Sequence, residues 1–519
     1  MKSRILIFYL VFFVALSLLL GRLFWLSIIH GEASRTKAEE QRVKIRRIVA
    51  PRGVIYDRLN RPLVQNLPVY KICKEREKTC QEISRDQALQ LEADNQDADL
   101  VVEVGRDYPH GRALAHVLGY LGEVNREEVE SGWPLGSLRG RTGIEESYED
   151  HLRGVDGGEI IEVGANGEVI RIIGRKEPVA GKELKLSIDL DLQLAAYQAL
   201  EERGEKAALV ASTPEGEILA LVSYPSFDPN LLTRADLDNP DQPFFNRVIS
   251  GAYPPGSTFK VVTAVAGLEE GKIDAQTEIE DKGKIVIGQY RYANWYFTQY
   301  GKTEGVIDLV RAIKRSTDTF FYKVGEFLGA SRIIAWARSF GFGRVSEIDI
   351  GGEIAGFLPD PQTGDWFLGN TYHLAIGQGS LGVTPLQLNN MTAVIASEGK
   401  LCSPRVKEQE SKRARECEDL GLKKETLRLI QEGMKEACST GGTAFPFFDF
   451  EPRVACKTGT AEFGDPQDRT HAWLTAFAPV DPPTGGPEIV VTALIEAGGE
   501  GSYVAAPIVK ELMEVYFKD

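Results

Sequence analysis

The N-terminal end of the chain carries a nearly unbroken apolar run. Residues 5–20 read ILIFYLVFFVALSLLL without a charge, and after a Gly-Arg pair the apolar pattern resumes as far as Ile29. As a helix with a rise of ~1.5 Å per residue, this stretch is about 37 Å long, enough to cross a hydrocarbon layer of ~30 Å. A cleaved signal peptide has a shorter apolar core and a small-residue cleavage site, and neither is evident. The pattern predicts a transmembrane anchor at 5–29, after a short tail at 1–4.

Beyond the anchor, the chain mixes short strand-like runs with turns. DADLVVEV at 97–104 and EIIEVGANGEVIRII at 159–173 both read as strands, and Asn166-Gly167 in the second run is typical of a hairpin turn. No compact set of residues with evident chemistry stands out in this half. We therefore expect residues 30–177 to form a mixed α/β module without catalytic residues.

The pattern changes after residue 177. KELKLSIDL at 182–190 predicts a strand, 191–204 predicts a helix ended by a glycine, and AALVAST and EILALVSYP predict two strands joined by a turn. Much later, 471–480 and 488–498 predict two more strands, followed by a C-terminal amphipathic helix. Strands from both ends of the region, with helices between them, imply one sheet closed by the two termini.

Composition narrows the possible classes of protein. The formal net charge of −15 provides no basic excess that would bind nucleic acid unaided. No CxxC pair and no HExxH motif occurs, so we expect no metal site. Cys73 with Cys80, and Cys402 with Cys417, are close enough in sequence for disulfides, although buried free thiols fit the spacing equally well.

One candidate nucleophile stands in the sequence STFK at 257–260, after YPPG and before the helical run VVTAVAGLEEG. If Ser257 opens that helix, Lys260 lies one turn further on the same face. A serine hydroxyl needs an adjacent base to act as a nucleophile, and a lysine can be that base when burial or nearby cations lower its pKa. Taken alone, the motif occurs by chance in many proteins, and a helix-capping serine with a surface lysine explains it better than a catalytic pair does.

Two further short motifs follow in the chain. STD at 316–318 heads the run TFFYKVGEFLG, and KTGT at 457–460 lies within RVACKTGTAE. Each alone fits a structural role, such as a helix cap or a turn at a strand edge. An SxxK motif, an SDN-like triplet and KTG in this order are, however, the set found in penicillin-binding proteins and class A β-lactamases.

The three motifs together predict an acyl-transfer site that needs neither a metal nor an organic cofactor. Ser257 attacks a carbonyl carbon and Lys260 takes its proton. Ser316 relays a proton toward the leaving amine, and Lys457 places positive charge near Ser316 and the substrate carboxylate.

The KTG strand supplies the predicted substrate-binding groups. Thr458 hydrogen-bonds the substrate carboxylate, and Gly459 allows the strand backbone to approach the substrate closely. Backbone N–H groups of Ser257 and Thr460 form the oxyanion hole, which is worth several kcal/mol in comparable sites.

At this point the chain resembles the class B penicillin-binding proteins over nearly its full length. The segments similar to that family are RIVAPRGVIYDR (47–58), AHVLGYLGEV (115–124), RTGIEESYEDHLRG (141–154), NRVISGAYPPGSTFK (246–260), IGQGSLGVTPLQL (376–388) and HAWLTAF (471–477). Asp318, where many relatives carry Asn, and IGQG make the chain similar to the elongation type, penicillin-binding protein 2. Because an ionised Asp cannot donate a hydrogen bond, the donor role of that Asn does not transfer directly to Asp318.

The resemblance implies an α+β fold, in which residues 30–177 form an elongated, dimerisation-like pedestal. Residues 178–519 then form a serine β-lactamase-like transpeptidase domain with an antiparallel sheet flanked by helices. The resemblance also implies peptidoglycan D,D-transpeptidation during cell-wall elongation, through an acyl-enzyme that D-alanyl-D-alanine stem peptides form on Ser257, and acylation by β-lactams. The catalytic set is then Ser257, Lys260, Ser316, Asp318 and Lys457. A SEDS-family glycan polymerase and other elongation-complex membrane proteins are the implied partners.

The implied substrate also predicts the orientation in the membrane. Stem peptides lie outside the cytoplasmic membrane, so we expect a single-pass protein with a cytoplasmic N-terminus and an extracytoplasmic catalytic domain. The six basic residues between positions 35 and 47 oppose this orientation, but the positive-inside rule weakens for long translocated domains.

Three alternative functions share the predicted site. They are a septal transpeptidase of the same class, a β-lactamase or D,D-carboxypeptidase in which water replaces the amine, and a β-lactam sensor or catalytically silent scaffold. The N-terminal module and the anchor argue against a secreted hydrolase, and no stretch of the sequence supplies a signalling domain for a sensor.

Overall fold

The computed structural model describes residues 2–32, 42–74, 79–94, 100–164, 169–408, 417–481 and 486–518, and the chain divides into two compact units. The first unit contains Met1–Gly53, Asn66–Arg106 and His151–Lys182, and the second contains Val54–Gln65, Asp107–Asp150 and Glu183–Asp519. Both units are built from separate segments of the chain.

The first unit begins with the helix Lys2–Phe24, which continues as a π-helical turn at Trp25–Ile29. Together these two helical segments contain Ser3–Ile29, which is long and apolar enough to cross a membrane. This segment coincides with the anchor that the apolar pattern predicts at 5–29.

The strands of the first unit form two groups. A three-stranded antiparallel sheet has the order Val43–Ile48, Gly157–Val163, Val169–Lys176. Its last two strands form the predicted hairpin, whereas the Asn166-Gly167 turn lies outside the described residues. The other elements are the long strand Pro62–Lys74, whose first four residues belong to the second unit, its partners Thr79–Ile83 and Leu100–Asp107, and the helix Arg85–Ala93.

The second unit is organised around a five-stranded antiparallel sheet. Its order is Ile218–Tyr224, Ala207–Ser212, Ile489–Ile495, Thr470–Ala478, Ala455–Glu462. The first two strands come from the start of the region and the other three from its end, as the sequence predicts. The strand Ala455–Glu462, called the KTG strand below, lies at one edge of the sheet.

Helices cover both faces of this sheet. Leu190–Arg203 and Ala505–Tyr516 pack on one face, where Leu192, Leu200 and Val509 join the strand residues in a continuous buried core. The helix Pro385–Ala396 contacts the three central strands and is buried along its whole length, which is why apolar residues occupy most of its positions. The α+β class that the sequence predicts is confirmed.

One predicted strand is largely wrong. Only Leu184–Lys185 of the run 182–190 is a strand, and it pairs in parallel with Ile55–Tyr56. The run ends early because Asp189 caps the next helix, its carboxylate accepting hydrogen bonds from the N–H groups of Asp191 and Leu192.

The remaining elements of the second unit are short helices and two-stranded ribbons. The helices are Gly111–Ala113, Ala115–Leu118, Arg126–Glu130, Gly143–Ser147, Arg234–Leu237, Gly256–Phe259, Lys260–Glu269, Trp295–Tyr300, Leu309–Arg315, Asp318–Leu328, Ala330–Ser339, Leu368–Ala375, Lys424–Ala437 and Phe445–Phe447, and Glu149–Leu152 ends in the first unit. The ribbons pair Leu121–Glu123 with Leu138–Gly140, Ile279–Asp281 with Gly305–Ile307, Lys284–Ile287 with Tyr290–Ala293, and Lys400–Cys402 with Cys417–Asp419.

Candidate active site

The segment that carries Ser257 is a single 3-10 turn, Gly256–Phe259, which runs directly into the helix Lys260–Glu269. The sequence predicts that Ser257 opens an α-helix, but the structure begins that helix at Lys260. Gly377 of the IGQG segment supports the turn, because its carbonyl accepts the N–H of Gly256 at 2.9 Å. Gly377 has a φ of +75°, and a Cβ there would lie 2.1 Å from the Gly256 carbonyl oxygen, so only glycine fits.

The KTG strand lies against the same turn. A Cβ on Gly459 would lie 3.0 Å from both the Pro255 carbonyl oxygen and Thr258 Cγ2. Gly459 therefore brings the strand backbone close to the Ser257 turn, and the predicted close approach of this backbone to the substrate stays a prediction.

Two buried lysines meet at the hydroxyl of Ser316. Lys457 Nζ donates to Ser316 Oγ at 2.8 Å, and Lys260 Nζ donates to the same oxygen at 3.2 Å. Both lysine side chains are fully buried. Residues that are 56 and 141 positions apart from Ser316 are thus brought into one hydrogen-bonded cluster.

Ser316 owes its position to an unusual backbone conformation. It ends the helix Leu309–Arg315 with a φ of +54°, a left-handed conformation that is uncommon for residues other than glycine. Strained backbone of this kind collects at functional sites, where the surrounding structure holds it in place. Here the Ser316 carbonyl accepts a hydrogen bond from Lys260 Nζ at 2.7 Å.

Asp318 supplies the third hydrogen-bond acceptor of Lys260, after the carbonyl and the hydroxyl of Ser316. Its Oδ1 accepts a hydrogen bond from Lys260 Nζ at 2.6 Å, and its Oδ2 accepts the backbone N–H of Trp295 at 3.0 Å. Both oxygens therefore act as acceptors, in agreement with the inference that Asp318 cannot take over a donor role from Asn. Among the described residues, Lys260 donates to Ser316 and Asp318 but not to the hydroxyl of Ser257.

Burial dominates the electrostatics of the two lysines. It lowers the pKa of Lys260, although the Asp318 carboxylate acts in the opposite direction. Burial and the proximity of Lys260 hold the pKa of Lys457 well below its ordinary value. Two ammonium groups sharing one buried hydroxyl would repel each other, so the arrangement favours an uncharged amine.

A cavity of about 330 Å³ opens beside this cluster. Among its lining residues are five of the predicted site residues, Ser257, Ser316, Asp318, Thr458 and Thr460. Lys260 and Lys457 are buried behind that lining through their bonds to Ser316. The other lining residues are Ala293, Trp295, Thr298, Gln299, Tyr322, Ile376, Gln378, Thr443, Glu462, Thr470, Glu500 and Ser502.

Several cavity residues were not found from the sequence. Thr443 meets Thr458, with 2.8 Å between their hydroxyl oxygens, so a second hydroxyl stands beside the predicted carboxylate-binding group. The Gln378 side chain pairs with the backbone of Glu462, donating to its carbonyl at 3.2 Å and accepting its N–H at 3.1 Å. IGQG pointed to Gln378 as part of a family segment, whereas no pattern marks Thr443.

One of the disulfides was expected from the sequence and another was not. Cys402 and Cys417 are bonded, as one reading of their spacing predicted. Cys438 and Cys456 also form a disulfide, which tethers the segment before Thr443 to the residue before Lys457. Cys80 is disulfide-bonded and lies opposite Cys73 in register, and the Cys73 side chain lies outside the described residues.

The comparisons with known proteins agree with this site. Residues 206–514 match the family model of the penicillin binding protein transpeptidase domain, and residues 79–186 match that of the penicillin-binding protein dimerisation domain. The peptidoglycan D,D-transpeptidase MrdA of Acinetobacter baumannii is 31% identical, over 95% of this chain and 84% of its own.

Two solved structures are similar as well. The penicillin-binding protein PBP2 of Helicobacter pylori, in its complex with MreC, has a TM-score of 0.79 at 27% identity, over 91% of this chain and 98% of its own. A chain of a peptidoglycan synthase complex that coordinates polymerization and crosslinking has a TM-score of 0.81 at 30% identity, over 100% of this chain and 99% of its own.

The cavity is surrounded by the Ser257 turn, by Ser316 with its two buried lysines, and by the KTG strand. This arrangement is that of a serine acyl-transferase of the penicillin-binding type. With the transpeptidase model matching more than half of its length, the chain belongs to the penicillin-binding protein transpeptidase family. Its likeness to the PBP2 branch, which Asp318 and IGQG predicted, is confirmed by the relatives.

Proposed function

We propose that this chain is an elongation-type peptidoglycan D,D-transpeptidase that forms its acyl-enzyme on Ser257. The observation that carries the proposal is the single cavity at which Ser257, Ser316 and Thr458 meet, with the amines of Lys260 and Lys457 directly behind it. Acyl transfer to serine requires a hydroxyl as nucleophile, a nearby base such as a buried amine of lowered pKa, and a strand edge that binds the acyl group.

In the acylation step, Ser257 Oγ attacks the carbonyl carbon of the D-alanyl-D-alanine peptide bond, and the neutral amine of Lys260 accepts the hydroxyl proton. The negative charge of the tetrahedral intermediate falls on the former carbonyl oxygen, which the N–H groups of Ser257 and Thr460 stabilise. The carbon–nitrogen bond then breaks, and the proton reaches the leaving amine of D-alanine through Ser316, which contacts both lysines.

In the transfer step, an amine from a neighbouring strand attacks the ester carbonyl of the acyl-enzyme. The amine loses a proton by the reverse route, the ester bond breaks, and Ser257 regains its hydroxyl. A β-lactam follows the first step only, because its leaving amine stays tethered to the acyl group and no strand amine replaces it.

The KTG strand orients the donor peptide in this proposal. Lys457, Thr458 and the neighbouring Thr443 present an amine and two hydroxyls, which suit a carboxylate such as the terminal group of D-alanine. Asp318 accepts from Lys260 throughout and holds its amine in place.

Labelling with a fluorescent penicillin tests the nucleophile. We expect covalent labelling of the wild type and of Ser250→Ala, which removes a hydroxyl from the same segment, and no labelling of Ser257→Ala. Full labelling of Ser257→Ala would remove Ser257 as the nucleophile. Rapid loss of the adduct would indicate a β-lactamase, and release of D-alanine without cross-linked product from a stem-peptide substrate would indicate a carboxypeptidase.

We further propose that the helix starting at Ser3 spans the cytoplasmic membrane, with the N-terminus in the cytoplasm and the catalytic unit outside. The apolar segment supports a membrane location, and the location of stem peptides supports the orientation. C-terminal fusions to alkaline phosphatase and to green fluorescent protein test it, because the phosphatase is active only outside and the fluorophore matures poorly there.

The expected partners are a SEDS-family glycan polymerase and other elongation-complex membrane proteins. The glycan polymerase is supported by a similar chain in a peptidoglycan synthase complex that coordinates polymerization and crosslinking. The other membrane proteins are supported by the complex of the H. pylori relative with MreC. Replacing residues 5–29 by an unrelated membrane helix is expected to abolish co-purification with the polymerase while penicillin labelling remains.

The domain order stays part of the proposal: a pedestal at 30–177 and a transpeptidase domain at 178–519. The dimerisation match ends at residue 186 and the transpeptidase match begins at 206, which supports a change of domain close to these residues, although the compact unit that contains Glu183–Asp519 also contains Val54–Gln65 and Asp107–Asp150. Limited proteolysis followed by mass spectrometry is expected to release a penicillin-labelled fragment that starts close to residue 178.

A further inference from the structure

Asp281 is a buried carboxylate that the proposed chemistry does not use. The residue is only 3% exposed. Its Oδ1 accepts the N–H of Gly283 at 2.8 Å and the hydroxyl of Thr319 at 2.7 Å. Its Oδ2 accepts the Asn294 side-chain amide at 3.0 Å and the N–H of Glu304 at 2.9 Å. An ionised carboxylate only accepts, so it matches these four donors, whereas an asparagine would turn an NH2 group toward two of them.

Asn294 connects this carboxylate to the helix that carries Asp318. Its Nδ2 donates to Asp281, and its Oδ1 accepts the backbone N–H of Asp318 at 3.1 Å. That N–H belongs to the first turn of the helix Asp318–Leu328, where backbone N–H groups have no partner inside the helix. Thr317 precedes the helix, but within the described part of the chain its buried hydroxyl has no partner. Asn294 therefore supplies the cap from a different segment.

The connection between the two segments runs in both directions. While Asn294 Oδ1 accepts from Asp318, Asp318 Oδ2 accepts the N–H of Trp295, the next residue after Asn294. The other oxygen of Asp318 holds Lys260 Nζ at 2.6 Å. A shift of Asn294 would consequently be passed to the Asp318 carboxylate and from it to the Lys260 amine, because direct hydrogen bonds in a largely buried region connect the three groups.

We propose that Asp281 and Asn294 are positioning residues for the acyl-transfer site. The Asp281 carboxylate orients the Asn294 amide, the amide fixes Asp318, and Asp318 fixes the amine of Lys260. This inference rests on the proposed function and adds to it two residues that lie behind the catalytic cluster.

The test measures the second-order rate of acylation by a fluorescent penicillin, on the full chain in detergent, as a function of pH. Active-site titration normalises each rate to the folded, reactive fraction. Asn294→Ala removes the cap and the link to Asp281, and we expect its maximum rate to fall by about tenfold or more, since a misplacement of roughly 1 Å can cost about 10²-fold. Asp281→Asn keeps the side-chain volume, breaks the donor match, and is expected to slow acylation in the same direction.

The pH dependence separates positioning from mere stability. Asp318 and Lys457 are the charged groups facing Lys260, and the ring of Phe321 lies 5.5 Å from its Nζ. Because the Asp318 carboxylate raises the pKa of Lys260 against the effect of burial, a withdrawn Asp318 lets that pKa fall further. The acidic limb of the rate profile of Asn294→Ala is therefore expected at lower pH than in the wild type.

A matched control is available at Asn389. This asparagine is also fully buried, and its Nδ2 donates to the Ser212 hydroxyl at 2.7 Å, in contact with the central sheet. Asn389→Ala is expected to lose thermal stability with an unchanged acylation rate and acidic limb.

The outcomes are distinguishable. No labelling of the wild type would overturn the proposed function, and this inference with it. A labelled wild type together with an Asn294→Ala profile equal to it within error would overturn the inference alone. If Asn294→Ala does not fold, Asp281→Asn decides, and a wild-type rate in that variant would refute the positioning role.

Discussion

Replacement of Lys260 by methionine is the most direct perturbation of the proposed chemistry. Methionine is apolar and unbranched like the lysine stem, and it fills the buried site without an amine. A positioned general base contributes about 10²–10⁴-fold to a rate, which corresponds to about 3–5 kcal/mol of activation free energy. We expect acylation by a fluorescent penicillin to slow by that factor in Lys260→Met.

The same substitution also changes the stability of the fold, and this effect can be separated from the effect on the acylation rate. The amine of Lys260 is paired with the carboxylate of Asp318, whose side chain is only 12% exposed. Removing one partner of such a pair costs about 3–5 kcal/mol. The loss is expected near the lower end, because the hydrogen bond from Trp295 to Asp318 remains and the buried amine no longer has to be desolvated.

The double variant Lys260→Met/Asp318→Asn replaces both members of the pair by uncharged side chains. Its thermal midpoint is expected to recover most of what Lys260→Met loses, whereas its acylation stays slow. Stopped-flow labelling of the titrated active fraction, with thermal unfolding followed by circular dichroism, measures both quantities. Acylation of folded Lys260→Met within an order of magnitude of the wild type would refute the role of Lys260 as the base.

The other predictions concern the support of the site. Gly377→Ala is expected to unfold at lower temperature and to acylate slowly, because its Cβ would lie 2.1 Å from the Gly256 carbonyl, and normal kinetics would contradict the role of Gly377 under the Ser257 turn. Breaking the Cys438–Cys456 bridge with the double serine variant is expected to cost about 2–4 kcal/mol of stability, seen as a lower thermal midpoint under oxidising conditions, and an unchanged midpoint would contradict a stabilising role of this bridge. Burial lowers the pKa of His471 to about 4, so folding favours its neutral form, and stability falls as pH drops from about 6.5 toward 4, by on the order of 3 kcal/mol. Burial also lowers the pKa of His116 to about 4, so His471→Asn, which can still accept the N–H of Ala497, is expected to reduce the slope of the stability profile in this pH range without abolishing it, and an unchanged slope would exclude a contribution from His471.

The sequence by itself predicted the anchor, the two-ended sheet and the candidate reactive residues. Each rests on a local signal: an apolar run long enough for a bilayer, alternating strands at both ends of one region, and three short motifs at domain-scale separation. Such signals depend on residues close to one another in the chain, so they can be recognised without knowledge of the fold.

Only the tertiary structure decided how those residues meet. Lys260 stands beside Ser316 and Asp318 rather than bonding Ser257, and Ser316 reaches both lysines because its backbone is left-handed at a helix end. Thr443, Asn294 and the Cys438–Cys456 bridge carry no pattern of their own, since each acquires its role from a partner in a distant segment. Hydrogen bonds between such segments form only after the sheet and helices have packed, and that is why no reading of neighbouring residues could have found them.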